Sequence, residues 1–191
     1  MAIRNILHDD DPSLRKSSRI ITDFNQRLHT LIDDMRETLF EANGLGLAAV
    51  QVGVLRRVVL IVDTSLDSDS EDDQIVELIN PEIIETSGEQ TSHEGCLSFP
   101  SIYGIVTRPN FVKIKAFDRN GNAFTYTGEE LVARAICHEI DHINGKVFID
   151  IVERFLTEEE IEALRSEAEQ DAKTKKSELD TQRQDAEAES E

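Results

Sequence analysis

The residues with the clearest chemical potential form the pattern H-E-x-x-H, which runs from His138 to His142. Histidines four positions apart lie on one face of a helix, so both imidazoles can bind one metal ion, with Glu139 beside them as a base. Leu131 and Ala135 fall on the same face. Burial of two imidazoles without partners is costly, and a shared metal ion removes that cost. The pattern therefore predicts a metal-binding helix, and surface or hydrogen-bonded core histidines are the alternative.

A catalytic metal ion also needs a third protein ligand, and Cys96 is the best candidate. No histidine follows His142 in the chain. Cys96 lies in the stretch HEGCLSFP, where Gly95 and Pro100 favour a bend that presents the side chain. A thiolate with two imidazoles leaves a fourth position open, as catalytic sites do. A buried structural thiol is the alternative, and it is the role that we expect for Cys137, which must point away from the site.

Two helices are predicted to position these residues. Residues 24–42 carry an apolar stripe of 3.6-residue period, formed by Phe24, Leu28, Leu31, Ile32, Met35 and Leu39. Thr22 or Asp23 can cap this helix, and Asn43-Gly44 ends it. The second helix runs from about Glu129 to Ile143 and contains the metal-binding pattern, with Asn144-Gly145 as its stop.

The remaining regular segments resemble strands of an antiparallel sheet. We expect strands at 57–62, 76–79, 82–86, 112–117 and 123–127, with a solvated loop at 63–74 and an Asn-Gly hairpin turn in DRNGN. The predicted class is α+β, with antiparallel strands packed around a central metal-binding helix, an N-terminal helix outside, and a C-terminal helix or tail. The glycine-rich stretch 44–53 is not expected to continue the first helix.

Length and charge narrow the class of protein further. The chain has 191 residues, which suits one catalytic domain followed by a tail. We expect the catalytic domain to comprise residues 1–156. Residues 157–191 would form an acidic C-terminal helix or tail, whose end we expect to be disordered. The tail contains thirteen acidic against five basic residues. The net charge of −19 argues against direct binding to nucleic acid or to anionic membranes.

The cellular compartment follows from what the chain lacks. No apolar run reaches the ~20 residues of a membrane span. The first fifteen residues, MAIRNILHDDDPSLR, fit neither a secretory signal nor an acid-poor transit peptide. Two cysteines in such a chain are best interpreted as reduced thiols. These features predict a cytoplasmic protein.

Three motifs together resemble the signatures of the peptide deformylase family, in their order along the chain. They are GLGLAAVQ at 44–51, EGCLS at 94–98 and HEIDH at 138–142, and the flanking stretches DPSLR, INP, YGIVTRP and GKVFID also match. The resemblance covers about residues 3 to 156. Three motifs in register are far more specific than any one of them.

The resemblance implies that the chain removes the formyl group from the N-terminal formyl-methionine of new polypeptides and releases formate. A metal ion held by Cys96, His138 and His142 would lower the pKa of bound water. Glu139 would take the proton of that water and pass it to the leaving amine.

By the same resemblance, two donors would stabilise the oxyanion that forms on the formyl group. They are the side-chain amide of Gln51 and the backbone N–H of Leu97. Without the resemblance, Gln51 is better interpreted as a residue that satisfies backbone groups.

Other positions are expected to bind substrate or to orient the ligands. Main-chain contacts to an extended peptide would come from Gly44, Leu45, Gly46 and Gly95. Leu131 and Ala135 would line a pocket for the methionine side chain, although plain core packing is an equal alternative. Glu94, Asp141 and Arg108 are candidates for the groups that orient the ligating histidines.

The metal and the partners are the least determined features. A Cys-His-His set suits iron(II), zinc, nickel or cobalt, and the family favours Fe²⁺. The expected partners are formyl-methionyl peptide N-termini, with the ribosome approached only indirectly because the tail is acidic.

Two other functions share parts of these motifs. A zinc endopeptidase or aminopeptidase would use the same H-E-x-x-H helix, and a non-enzymatic metal or redox module would use Cys96 as a sensor thiol. Neither function explains the stretch GLGLAAVQ.

Overall fold

The computed structural model describes residues 2–66, 74–167 and 170. Two α-helices and eight strands are bounded as follows: α1 Gln26–Glu41, β1 Gly46–Ala48, β2 Val58–Val62, β3 Ile75–Ser87, β4 Gln90–Cys96, β5 Phe99–Arg108, β6 Phe111–Phe117, β7 Ala123–Glu129, α2 Glu130–Ile143 and β8 Arg154–Phe155. Residues 158–167 are also helical. One compact unit comprises Met1–Arg154 and another comprises Phe155–Glu191.

A five-stranded antiparallel sheet in the order β1-β2-β3-β6-β7 carries the two helices on opposite faces. Strand β2 shows why the sheet is buried on both sides. Val59 and Ile61 join the core that contains the apolar side of α2. Val58 and Leu60 point the other way, into the core that contains the apolar side of α1. The predicted α+β architecture, with antiparallel strands packed against the helix that contains the H-E-x-x-H pattern, is therefore confirmed.

A second sheet, in the order β4-β5-β8, brings the cysteine to the helix. Strands β4 and β5 form an antiparallel hairpin whose last pair is Cys96 with Phe99. Phe99 and Phe148 pack edge to face beneath this turn, with ring centroids 5.9 Å apart. The bend that the sequence predicts around Cys96 falls just after it, at residues 97–98, and Cys96 itself is the last residue of β4 rather than part of a loop.

The first helix ends where the sequence predicts and begins later. Its cap is Asn25, whose side-chain oxygen accepts hydrogen bonds from the backbone N–H groups of Arg27 and Leu28. Thr22 and Asp23 are therefore not the cap. At the other end Asn43 adopts a left-handed conformation with φ of 50°, which stops the helix as expected.

The predicted strands at 76–79 and 82–86 are one strand, and the prediction of two was wrong. β3 continues through Asn80-Pro81 with a register shift against β6 between Ile79 and Glu82. Asn80 has φ of 52°, and its side-chain amide bonds both the N–H and the carbonyl of Ile21. The turn signal in the sequence marks a bulge here, held by a distant segment.

The other predictions for the first unit agree well with the structure. The hairpin of β6 and β7 forms as expected, and its turn is held by Asp118, which accepts from the N–H groups of Asn120 and Asn122. Strands β4 and β5 were not predicted. Within the described part of the chain, no helix is both long and apolar enough to cross a membrane.

Two predictions lie partly outside the described residues. The loop at 63–74 is described only at 63–66 and 74, and the tail beyond 170 is not described. The helix expected at the start of the tail is present at 158–167.

Candidate metal centre and active site

Cys96, His138 and His142 converge, as the sequence predicts. One ligand atom from each residue lies within 4.8 Å of the other two. The two histidines occupy successive turns of α2 with ring centroids 4.9 Å apart, and Cys96 Sγ lies 3.2 Å from His142 Nε2. The end of β4 therefore supplies the thiol, and one face of α2 supplies both imidazoles.

The chemistry of these three residues fits a divalent metal ion. A thiolate and two imidazoles are the donors that zinc, iron(II), nickel and cobalt accept. His138 directs Nδ1 to Glu94 Oε2 at 3.1 Å, which leaves Nε2 for a metal ion. His142 is fully buried, and its Nδ1 has no hydrogen-bond partner within the described residues. The pattern of burial favours a metal centre over surface histidines.

Glu94 holds His138 and is itself held by two guanidinium groups. Arg108 donates to both carboxylate oxygens, Nε to Oε1 at 2.9 Å and Nη2 to Oε2 at 3.0 Å, and it also reaches Asp141 Oδ2 at 2.5 Å. Burial would raise the pKa of Glu94, but the hydrogen bonds from His138 and Arg108 outweigh it and lower the pKa to about 2. The sequence left these pairs unassigned: in the structure Glu94 contacts His138, Arg108 contacts Glu94, and Asp141 contacts Arg108 rather than a ligating histidine.

Arg134 is the second cation on Glu94, and sequence reasoning missed it. Its Nη1 donates to Glu94 Oε1 at 2.8 Å and to the Val106 carbonyl at 3.1 Å, and its Nη2 donates to the Gln90 carbonyl at 3.1 Å. A single side chain of α2 thus binds both strands of the β4–β5 hairpin. Helical spacing places Arg134 one turn before His138, and both are buried, but its acceptors on the hairpin follow only from the tertiary structure.

Glu139, the residue after His138, lies in a much less polar environment than Glu94. It is 4% exposed, and its Oε2 has no hydrogen-bond partner within the described residues. Burial raises its pKa to about 7, partly offset by the positive charge of His138. A Cβ atom at Gly46 would lie 2.7 Å from Glu139 Cγ and Oε1. Only glycine at position 46 leaves space for this carboxyl group.

The two histidines differ in protonation when no metal ion is bound. Desolvation lowers the pKa of His138, but hydrogen bonds to Cys96 and Glu94 raise it to about 10. Desolvation and the adjacent His138 hold the pKa of His142 well below its usual value. A proton on His138 therefore supplies positive charge that a metal ion would replace, so metal affinity should rise with pH.

Gln51 directs its amide N–H toward the centre. Its Oε1 accepts from the Ala48 backbone N–H at 2.8 Å, which fixes the amide orientation. Its Nε2 then lies 3.3 Å from Ser98 Oγ and 3.6 Å from Cys96 Sγ. Leu97 lies in the turn between β4 and β5. Both predicted donors are thus adjacent to the thiol.

A cleft of about 520 Å³ opens onto this centre. Its lining includes all six residues that the sequence assigns to substrate: Gly44, Leu45, Gly46, Gly95, Leu131 and Ala135. Leu131 is 46% exposed at the rim, so it is not simply core packing. The sequence did not identify Asn43, His93, Ser101 or Tyr103, which also line the cleft.

Comparisons with known proteins agree with the motifs. The family model described as polypeptide deformylase matches residues 3–157. A peptide deformylase of Caldicellulosiruptor bescii is 50% identical over 166 residues, 87% of this chain and 95% of that protein. One of Lachnoclostridium phytofermentans is 53% identical over 152 residues, 80% and 90% of the two chains.

Solved structures give the same result. The crystal structure of a peptide deformylase from Legionella pneumophila has a TM-score of 0.73 and 40% identity, and the match covers 91% of this chain and 98% of that one. The Thermotoga maritima structure has a TM-score of 0.74 and 34% identity, covering 80% and 99%.

Proposed function

The chain belongs to the polypeptide deformylase family, and from that premise we propose that Cys96, His138, His142 and Glu139 form its active site. The enzyme is a hydrolase that removes the N-formyl group from the formyl-methionine of new polypeptides and releases formate. The observation that carries the assignment of the site is the convergence of three metal-donor atoms beside Glu139, a buried carboxyl group whose Oε2 has no hydrogen-bond partner within the described residues.

Cys96, His138 and His142 would hold one divalent metal ion. When bound, such an ion lowers the pKa of water and stabilises negative charge on a carbonyl oxygen. We propose Fe²⁺ as the native ion, with Zn²⁺, Ni²⁺ or Co²⁺ also suited to these donors.

Glu139 is the proton carrier in this proposal. A pKa raised to about 7 allows the carboxyl group to accept and to release a proton near neutral pH. Water oxygen bonds to the formyl carbon while Glu139 takes a water proton. The carbon–nitrogen bond then breaks, and Glu139 gives the proton to the leaving amine, so that the products are formate and a free N-terminus.

Gln51 and Leu97 would stabilise the negative oxygen that forms on the formyl group. The Gln51 amide is fixed through Ala48 before substrate binds, so its N–H needs no reorientation. The Leu97 N–H lies in the same turn as Cys96.

The substrate would bind as an extended peptide along the cleft. Gly44, Leu45, Gly46 and Gly95 line the cleft, and their main-chain groups would pair with the peptide as with an added strand. Leu131 and Ala135 also line the cleft and would contact the methionine side chain.

The remaining assignments concern the whole chain. We propose that residues 1–156 form the catalytic domain and that residues 157–191 are an accessory acidic segment. We also propose that the enzyme works in the cytoplasm on chains leaving the ribosome. Glu94, Arg108 and Asp141 would act through His138 rather than on substrate.

The decisive experiment combines formate release with metal analysis of an anaerobically purified sample. A formyl-methionyl-alanyl peptide, its acetylated counterpart and an internal peptide are assayed side by side. We expect formate from the first substrate only, with about one metal ion per chain. Cleavage of the internal peptide with the formyl group left intact would instead indicate a peptidase, and a metal-loaded protein inactive on all three would indicate a non-catalytic module.

A further inference from the structure

A second groove, of about 690 Å³, lies apart from the cleft and shares none of its lining residues. It is formed by the extended segment before α1, the first turns of α1 and the residues that precede β2. Its lining residues are Arg4, Arg19, Ile20, Ile21, Thr22, Asp23, Asn25, Arg27, Leu28, Leu31, Val54 and Arg56. The proposed deformylase reaction uses none of them.

The charge of this arginine groove is opposite to that of the whole chain. Four guanidinium groups line it against one carboxylate, in a protein of net charge −19. Arg4 is neutralised by Asp34, at 2.9 Å. Among the described residues, no carboxylate pairs with the other three guanidinium groups, those of Arg19, Arg27 and Arg56. The groove therefore concentrates unneutralised positive charge.

The backbone fixes two of these arginines beside each other. Arg19 and Arg56 form a parallel bridge, in which the Arg19 N–H donates to the Leu55 carbonyl at 3.1 Å and the Arg57 N–H donates to the Arg19 carbonyl at 3.0 Å. The bridge places the two side chains on neighbouring backbone segments, so both guanidinium groups can contact one anion. The arrangement is thus prepared for an anionic ligand.

The groove also has an apolar surface. Ile20 is 67% exposed, although it is one of the larger apolar side chains of the molecule, and Leu31 and Val54 line the same groove. A ligand that fits must therefore carry apolar as well as anionic groups.

These properties favour an acidic peptide over nucleic acid. Nucleobases bind proteins by stacking on aromatic side chains, and the described lining contains no aromatic residue. A long polyanion would also be repelled by the rest of this acidic chain. A short peptide has only a few charges to place, and guanidinium groups bind its carboxylates in a bidentate manner.

We propose that the arginine groove is a docking site for a short acidic segment of a partner protein. Its aliphatic side chains would pack on Ile20, Leu31 and Val54, and its carboxylates would bind Arg19, Arg27 and Arg56. The site is independent of the metal centre and would bring the enzyme to a partner while the cleft remains open.

The test measures binding of a defined probe to the full-length protein. The probe is a fluorescein-labelled peptide in which Glu-Asp-Leu repeats, and binding is followed by fluorescence anisotropy at physiological ionic strength. We expect saturable binding that weakens about tenfold or more in the Arg19→Ser/Arg56→Ser double variant. Replacement of leucine by serine in the peptide should also weaken binding, since the apolar contacts are lost.

A matched control separates the groove from general charge. Lys113→Ser/Lys115→Ser removes the same charge from strand β6, outside the groove, and should leave the peptide affinity within about twofold because distant surface charges are screened. Formate release should be unchanged in both variants, which shows that they are folded. An equal loss of affinity in the two variants, an absence of saturable binding, or tighter binding of a single-stranded RNA oligomer that needs the same arginines would overturn the proposal.

Discussion

Glu94 and Glu139 flank the same histidine, and both carboxyl groups are about 95% buried, at 5% and 4% exposed. Their surroundings are otherwise opposite. Glu94 accepts hydrogen bonds from two guanidinium groups and from His138, and its pKa falls to about 2. Glu139 meets the backbone at Gly46, and its pKa rises to about 7. Burial alone therefore does not decide the charge of a carboxyl group, and the hydrogen-bond partners do.

The difference in pKa suits the two glutamates to different roles. A carboxylate that is charged at every working pH can hold the Nδ1 hydrogen of His138 and fix the direction of its Nε2. A carboxyl group with a pKa near neutrality can carry a proton in both directions during a reaction. Substitution of glutamine for glutamate at position 94 or at position 139 tests these two roles separately.

The largest effect is expected at Glu139. Glu139→Gln keeps the side-chain shape and removes the proton carrier, so deformylation should slow by about 10²–10⁴-fold in kcat. Metal content should not change, because Glu139 is not one of the three donors. Formate release and metal analysis of the same sample measure both quantities. Loss of metal together with activity would show that Glu139 acts in binding rather than in proton transfer.

Glu94→Gln, unlike Glu139→Gln, should lower both metal affinity and the stability of the fold. The guanidinium group of Arg134 would remain buried without a charged partner, and Arg108 would keep only Asp141, which together cost about 3–5 kcal/mol of unfolding free energy. His138 would also lose its acceptor, so metal affinity should fall by about 10–100-fold.

Chelator competition and urea unfolding separate the two effects of Glu94→Gln. The matched comparison is Glu139→Gln, which removes the other buried carboxyl group near the metal centre without leaving a cation unpaired. If both variants bound metal equally well, Glu94 would have no role in orienting His138.

Features of the fold and of the site that depend on residues close in sequence could be predicted, and features that depend on contacts between distant residues could not. His138, His142 and Glu139 were proposed from their spacing, because helical periodicity is local. Cys96 was proposed from its donor chemistry and its position between Gly95 and Pro100, because no histidine follows His142. The role of Gln51 required the family resemblance, since its orientation depends on a hydrogen bond from Ala48 within an irregular turn. The Asn25 cap and the bulge at Asn80 were missed, because each competes with neighbouring residues that carry similar signals.

The hairpin of β4 and β5 was missed for a different reason. β4 reads QTSHEGC and lacks the alternation of apolar and polar residues that marks a strand. The three acceptors of Arg134 lie on this hairpin, so its role also could not be derived from helix periodicity. Long-range polar contacts of this kind need the tertiary structure.

The two carboxyl groups should also give opposite pH dependence in the metal-free protein. Glu94 has a folded pKa below the ordinary 4.5, so its stabilisation is present above pH 4.5 and is lost as pH falls toward about 2. Glu139 has a folded pKa above 4.5, so its contribution is full below pH 4.5 and is lost as pH rises to about 7.

The Glu139 contribution corresponds to about 3 kcal/mol of unfolding free energy. Urea unfolding between pH 5 and pH 8, with a chelator present, should show the wild type losing more stability than Glu139→Gln. Parallel curves for the two proteins would contradict a neutral Glu139 in the folded state.

The smallest effect is expected from Arg134→Lys, which tests what holds Glu94 in place. A lysine keeps the charge but cannot reach Glu94, Val106 and Gln90 together, because its ammonium lacks the planar fork of the guanidinium group. The β4–β5 hairpin that ends in Cys96 should then be held less firmly against α2. We expect about tenfold weaker metal binding, measured by chelator competition.

Arg119→Lys provides the matched control, because Arg119 also binds two carboxylates, Glu77 and Asp33, away from the metal centre. Both substitutions should lower the melting temperature of the metal-free protein. Only Arg134→Lys should reduce the further increase in melting temperature that metal binding produces, since ligand stabilisation depends on the dissociation constant. An equal increase in both variants would mean that Arg134 supports the fold without positioning the ligands.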